Sequence, residues 1–196
     1  TQIQKSFFRP FMYKTNGRVS KAHAVILSRK NVGEADRIVT VFTKEYGKLR
    51  LLAKGVRKLA SRRSPHLEIF SSVALVIHQG KSMDTITEVT PLVPQSPIPR
   101  DLKHISVAYF YCELINVLLP EKQEHRNVYT TLLDALVMLG IRSGEPLHVQ
   151  TKTFALTLLR QLGFLDTEKK LSGLELQAFI ENITERRLRT PRLIRQ

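Results

Sequence analysis

Pro91, Pro94, Pro97 and Pro99 fall within nine residues, and no regular element crosses such a stretch. Each ring fixes its own φ and pushes the preceding residue to extended geometry, so neither a helix nor a central strand survives there. The pattern differs on the two sides. Before the prolines lie short β-branched runs separated by turns; after them apolar residues recur at three- and four-residue spacing. Such a chain folds as two units, and 196 residues suffice for a core in each. The expected division is an extension or tail at residues 1–12, a strand-rich unit at 13–90, a Pro-rich linker at 91–100 and a helical unit at 101–196.

The strand-rich unit holds five runs. Residues 19–27 end in the apolar stretch Ala24-Val25-Ile26-Leu27, and Asn31-Val32-Gly33 makes a turn. In residues 38–43, Ile38, Thr40 and Phe42 alternate with Val39 and Val41, the period of a strand. Tyr46-Gly47 turns the chain, glycine accepting a positive φ, and residues 48–53 return as the second strand of a hairpin. Residues 54–65 read as a loop or short helix. Residues 67–78 and 83–89 complete the set, joined through Gly80. Five short strands, with the longest interruption between the third and fourth, predict an OB-fold barrel, a scaffold that binds oligomers across one face.

Beyond the prolines, Asp101 caps a helix whose apolar positions are Leu102, Ile105, Ala108, Tyr109, Cys112, Ile115 and Leu119, stopped by Pro120. Asn127 caps a second, with Val128, Leu132, Ala135, Leu136 and Leu139 inward and Gly140 at its end. Pro146 suits the first turn of a third, ending near Gly163. Ser172 and Glu175 form a capping box for a fourth, with Leu171 and Leu176 as its hydrophobic staple. The expected fold class is α+β: an N-terminal five-stranded OB-fold β-barrel followed by an all-α helical bundle. An Arg-rich end (Arg186, Arg187, Arg189, Arg192, Arg195) trails from it.

Charge gives the functional direction. The net charge is +14, and residues 1–63 hold 16 Lys/Arg against 3 Asp/Glu. A field this lopsided concentrates polyanions on one part of the surface, and nucleic acid is the expected partner. The basic cluster is Lys44, Lys48, Arg50, Lys54, Arg57, Lys58, Arg62 and Arg63. Cations so placed displace condensed counterions from a phosphate backbone. Arg37, beside Glu34 and Asp36, is either oriented by them for a phosphate or held in a surface ion pair. Phe42 and Tyr46 are candidate stacking faces for unpaired bases. For Phe42 the core is preferred; for Tyr46 stacking and turn packing stand level. The candidate DNA-binding set is therefore Arg37, Lys44, Tyr46, Lys48, Arg50, Lys54, Arg57, Lys58, Arg62 and Arg63.

Motifs for chemistry are weak. Gly80-Lys81-Ser82 resembles the end of a phosphate-binding loop, but Leu75 stands where the upstream glycine belongs. The six histidines show no metal-ligand spacing, and Cys112, the one cysteine, falls on an apolar helical stripe. The single cysteine fits a reducing cytoplasm. Asp166-Thr167-Glu168-Lys169-Lys170 carries an acid-x-Lys element found in some nucleases, yet without the converging carboxylates of metal-assisted cleavage. No catalytic residues, metal or cofactor are expected. No run of about 18 apolar residues marks a membrane span, and the first residues do not resemble a secretory signal.

Several stretches together resemble the RecO family of bacterial recombination mediators: Ala24-Val-Ile-Leu27, Gly33-Glu-Ala-Asp-Arg37, residues 38–43, Tyr46-Gly-Lys-Leu49 and Ala53-Lys-Gly-Val-Arg57. Leu67-Glu-Ile-Phe70, Asp84-Thr-Ile-Thr87, Arg160-Gln-Leu-Gly-Phe164 and Glu185-Arg-Arg-Leu-Arg189 extend the likeness from about residue 13 nearly to the end. The resemblance implies an OB-fold and a helical domain, binding of single- and double-stranded DNA, and annealing of complementary strands. It also implies a partnership with RecR that loads RecA, and docking of the single-strand-binding protein's C-terminal tail on the helical domain. Many relatives carry a four-cysteine zinc module after the segment matching Leu162-Gly163-Phe164. Here Leu165-Asp-Thr-Glu-Lys-Lys170 follows without cysteine, so zinc is not expected. The alternatives from the residues alone are an RNA-binding OB-fold translation or ribosome-associated factor, and a metal-dependent nuclease.

Overall fold

The first strand is buried on both sides over its middle, and this places everything else. In the computed structural model, which describes residues 18–92, 101–141, 144–166, 168–169 and 171–188, β1 runs Val19–Val32. Ala24 and Ile26 enter one apolar core, whereas Val25 and Leu27 enter another. A strand covered on two faces reads as a continuous apolar run, as this one does.

β2 (Asp36–Thr43), β3 (Gly47–Ala53), β4 (Ser72–His78) and β5 (Thr85–Pro91) close a barrel with β1 in the order β1-β2-β3-β5-β4. β1 pairs with β4 through its first half and with β2 through its second, bent by a register shift between Ile26 and Ser28. β3 and β5 close the ring by a short parallel contact, Leu52 opposite Thr85. This is the OB-fold barrel. Its core includes Val39, Val41, Leu49, Leu51 and Ile86, with Val56 and Leu67 contributed by the connection from β3 to β4.

All five strands differ in their bounds from the expectation, β2 and β3 only by starting two residues and one residue early. β1 continues five residues past Leu27, because its second half pairs with β2 as far as Val32 opposite Asp36. The expected strand at 67–78 begins only at Ser72. Leu67 is fully buried, and Phe70 takes a left-handed φ of 73° while its N–H donates to the Ile26 carbonyl at 2.9 Å. A bulky residue seldom adopts that backbone, and the edge-on ring contact of Phe70 with Tyr109, 4.8 Å between centroids, accompanies it. β5 runs Thr85–Pro91, two residues later than expected at each end, and its last residue pairs with Val73. Pro94, Pro97 and Pro99 lie outside the described residues.

Four helices follow: α1 (Leu102–Leu118), α2 (Arg126–Ile141), α3 (Leu147–Gln161) and α4 (Gly173–Thr184). The Asp101 carboxylate accepts from the N–H groups of Lys103 and His104, as a cap should. α4 carries the expected capping box. The Ser172 N–H donates to Glu175 Oε2 at 2.7 Å, and the Glu175 N–H donates to Ser172 Oγ at 3.3 Å. Leu171 and Leu176 are buried in the same cluster.

α1 buries far more than a stripe: Val107, Ala108, Phe110, Tyr111, Cys112, Leu114 and Ile115 are all covered. It belongs to the core that contains Val25, Leu27 and Phe42 of the barrel as well as residues of α2, α3 and α4. Leu102, expected inward, is instead exposed in its first turn. Asn127, expected as the cap of α2, lies inside it: the helix begins at Arg126, and the Tyr129 N–H donates to the His125 carbonyl at 3.0 Å. Gly140 does not end α2, which runs on to Ile141. Pro146 sits at the cap of α3, one residue before its first turn.

The joint between the units is made at the β2–β3 turn. The segment after α1 lies alongside the start of β3, with Lys48 in a parallel bridge to Glu121 and the Lys122 N–H donating to the Lys48 carbonyl at 2.9 Å. Gly47 has φ 68°, and a methyl group there would overlap the Gln123 carbonyl. Two constraints, backbone conformation and close approach, therefore require glycine at one position. Gly47→Ala is expected to lower the unfolding free energy by more than about 2 kcal/mol in urea denaturation, the sum of left-handed strain and overpacking. A neutral substitution would mean that the segment after α1 does not rest on this turn.

Candidate nucleic-acid interface

The β2–β3 hairpin has two ends, and the register separates the ten candidate residues between them. Thr43 lies opposite Gly47 at the turn, and Arg37 lies opposite Ala53 at the far end, roughly 20 Å away at the usual rise per strand residue. Lys44, Tyr46 and Lys48 belong to the turn. Arg37, Lys54, Arg57, Lys58, Arg62 and Arg63 belong to the far end. Arg50, opposite Thr40, sits exposed between them.

The far end is built from the β1–β2 turn and the connection leaving β3. The Asp36 carboxylate accepts from the Gly55 N–H at 2.7 Å. The Arg57 N–H donates to the Ala35 carbonyl at 2.9 Å, and its guanidinium to the Gly33 carbonyl at 3.0 Å. Gly55 turns the chain with φ 65°. Val56, fully buried, pins the connection into the barrel. The Arg63 guanidinium closes the loop, donating to the carbonyls of Ile86 and Lys54 at 2.7 Å each. Sequence stretches more than fifteen residues apart, Gly33 to Asp36 and Lys54 to Arg57, thus form one structure.

These contacts leave an open concavity of about 740 Å³, lined among others by Ala35, Asp36, Lys54, Lys58, Arg62 and Arg63. Lys54, Arg57, Lys58 and Arg62 are exposed, and the side chains of this group differ in freedom. Arg63 is fixed by main-chain carbonyls. Arg57 is anchored at its base and partly through its guanidinium. Lys54, Lys58 and Arg62 are exposed and line the concavity.

Arg37 is placed differently from the expectation. It pairs neither with Glu34 nor with Asp36. Its Nη1 lies 3.6 Å from the Glu68 carboxylate, its Nε donates to Asn31 Oδ1 at 3.2 Å, and Arg29 pairs with the same Glu68. Burial lowers the pKa of the Arg37 guanidinium, and the neighbouring Arg29 adds to the effect. Arg29 was not among the expected residues. The signal was present in Arg29-Lys30, two cations directly before the turn.

At the turn end, Lys48 is a correction. It is 7% exposed, and its Nζ donates to the Asn116 carbonyl at 2.6 Å. Asn116 lies in the last turn of α1, where carbonyls lack an intrahelical partner and the helix dipole is negative. Lys48 therefore caps a helix and is not available to a phosphate. Burial lowers its pKa, with Glu121 opposing. Phe42 is fully buried, 6.1 Å from Tyr129 between ring centroids, so the core reading is the right one. Tyr46 is 39% exposed and lines a second concavity with Glu45, Asp84, Glu124, Arg18 and Lys122, where acids outnumber cations. Lys44 is half-buried at the same turn.

Among the described residues no three His, Cys, Asp or Glu side chains come together in a geometry that could hold a metal ion. Cys112 is buried, and burial pushes its thiol pKa well above the ordinary range. No described helix is long and apolar enough to cross a membrane. Arg186 and Arg187 are exposed after α4, and Arg189, Arg192 and Arg195 lie outside the described residues.

Residues 18–94 match the family described as "Recombination protein O N terminal", and residues 99–165 match "Recombination protein O C terminal". The chain is 34% identical over 147 residues to the "DNA repair protein RecO" of Roseiflexus sp. (strain RS-1), covering 75% of this chain and 51% of the relative. It is 34% identical over 146 residues to the protein of that name in Desulfitobacterium hafniense (strain DSM 10664 / DCB-2), covering 74% and 52%. With that in Bifidobacterium adolescentis it shares 37% over 124 residues, covering 62% and 50%. The chain spans about half the length of the curated relatives it matches. Two adjoining family matches, one on the barrel and one on the helices, agree with the architecture, and the chain belongs to the RecO family.

Proposed function

We propose that this chain is a non-enzymatic DNA-binding recombination mediator, acting in the bacterial cytoplasm close to the nucleoid. It binds single- and double-stranded DNA, anneals complementary strands and, with RecR, helps to load RecA. The helical domain takes the C-terminal tail of the single-strand-binding protein. The observation that carries the DNA reading is the concavity at the far end of the β2–β3 hairpin, lined by Lys54, Lys58 and Arg62 among others. Mutual repulsion of phosphates is the main electrostatic barrier to pairing two strands. Cations that neutralise both lower it without nucleotide hydrolysis. The family supports DNA over RNA, and competition between matched DNA and RNA oligonucleotides separates the two.

Replacing Lys54, Lys58 and Arg62 together with Ala is expected to weaken binding to a labelled oligonucleotide and to flatten its salt dependence. Every phosphate left without its cation takes about 0.7 to 0.9 off the slope of log K against log salt. Fluorescence anisotropy over a salt series measures it, and an unchanged slope takes these three residues out of the site. Lys48→Met serves as the contrast. It removes the ammonium but keeps the stem, leaving the Asn116 carbonyl unsatisfied. It is expected to cost about 1–3 kcal/mol of stability while the salt slope stays unchanged.

Strand annealing is the second test. Two complementary oligonucleotides, followed by fluorescence without nucleotide, should pair faster with the protein at low salt and lose that gain as salt rises. Tight DNA binding with no acceleration would reduce the chain to a basic OB-fold binder. Cutting of labelled strands in magnesium or manganese that tracked the pure protein would reverse the non-enzymatic reading.

A further inference from the structure

The connection from β3 to β4 ends in a tip that the cations do not explain. The Lys58 N–H donates to the Gly55 carbonyl at 3.2 Å, and the Ser61 N–H donates to the Lys58 carbonyl at 2.9 Å. Residues 58–61 therefore form a β-turn with Leu59 and Ala60 at its two central positions. Such positions ordinarily carry Gly, Pro, Asn, Asp or Ser. Leu59 has a relative exposure of 109%, the highest among the large apolar side chains described. It makes no contribution to either core. Leu59 is as exposed in the folded chain as in an unfolded one, so it buries no apolar surface and folding does not require it there.

The tip is also held in place. Val56 is buried below it, Gly55 is bonded to Asp36, and Arg63 ties the end of the loop to Ile86 and Lys54. Exposed Arg57, Lys58 and Arg62 flank Leu59 in sequence. The arrangement is a pre-ordered apolar point between cations. Proteins that unstack DNA combine these two elements: cations hold the phosphates while an aliphatic side chain enters between neighbouring bases.

From this we infer that Leu59 is a wedge that inserts into the base stack of bound DNA, opening one step while the flanking cations hold the backbone. The inference rests on the DNA-binding reading above and adds to it how the bases are engaged. Unstacked bases are exposed for re-pairing, so a wedge of this kind serves strand exchange between partners better than a purely electrostatic grip. The loop carries the aliphatic contact that Phe42, lying in the core, cannot supply.

The test uses the full chain and synthetic DNA carrying 2-aminopurine, a base analogue that brightens when it is unstacked. Binding is followed separately by anisotropy of an end label. The wild-type protein is expected to brighten the probe as it binds. Leu59→Ala is expected to bind with an unchanged salt slope and at most severalfold weaker affinity, and to lose the brightening. Leu59→Met is expected to restore it. Because Leu59 touches no core, these substitutions leave the fold intact, which circular dichroism verifies. Wild-type binding without brightening, or brightening that survives in Leu59→Ala, overturns the wedge. Absence of any wild-type DNA binding overturns the underlying reading instead, so the two failures are distinguishable.

Discussion

Two apolar cores share one wall, and the architecture follows from that. Along β1 the side chains alternate between the barrel interior, at Ala24 and Ile26, and the helical core, at Val25 and Leu27. Phe42 does for β2 what Val25 does for β1. Because successive side chains of a strand point to opposite faces, a shift of one residue in the β1 register would exchange the two sets and spoil both cores at once. The barrel and the helices are thus not beads on a string. The helical core is incomplete without Val25, Leu27 and Phe42, and α1 is buried over most of its circumference for the same reason.

This sharing decides where charge can sit. The turn end of the β2–β3 hairpin is covered by the helical unit and by β1: Gly47 lies against Gln123, Lys48 caps α1, and Glu45 accepts from the N–H of His23 and bonds its ring. A cation buried there must be satisfied by the protein, as Lys48 is by the Asn116 carbonyl. At the far end Arg37 and Arg63 are held by protein partners, whereas Lys54, Arg57, Lys58 and Arg62 are exposed. One hairpin therefore carries a structural lysine at one end and a solvent-exposed basic group at the other, though both are drawn from the same basic stretch.

Much of this was legible in the sequence. The alternation of residues 38–43, the glycine at position 47 and the capping box of Ser172 and Glu175 each encode local structure, and each appears where the local signal puts it. What failed depended on partners distant in the chain. Residues 67–71 look strand-like because Leu67, Ile69 and Phe70 are apolar, but Leu67 fills the barrel and Phe70 reaches Tyr109 of α1. Nothing local marks Lys48 apart from Lys44 or Lys54, since its partner carbonyl is 68 residues away. Asn127 is a good cap residue standing two places too late, since the helix begins at Arg126 and its first bond is accepted by the His125 carbonyl. The basic cluster was visible as composition. Its division into two ends became visible only with the strand register.

The acids explain why the far end remains positive. Residues 1–63 contain only Glu34, Asp36 and Glu45 to set against 16 cations. Glu45 is engaged by His23 at the opposite end, and Asp36 accepts from the Gly55 amide. Glu68, which approaches from outside this stretch, is shared by Arg29 and Arg37. The loop itself is ordered by main-chain groups: carbonyls of Gly33, Lys54 and Ile86 accept from Arg57 and Arg63. A loop ordered through neutral dipoles keeps its net charge, whereas one ordered by ion pairs would cancel it. Preorganisation and uncancelled charge are then compatible, and a polyanion bound as proposed would meet this surface without first breaking the contacts that hold it.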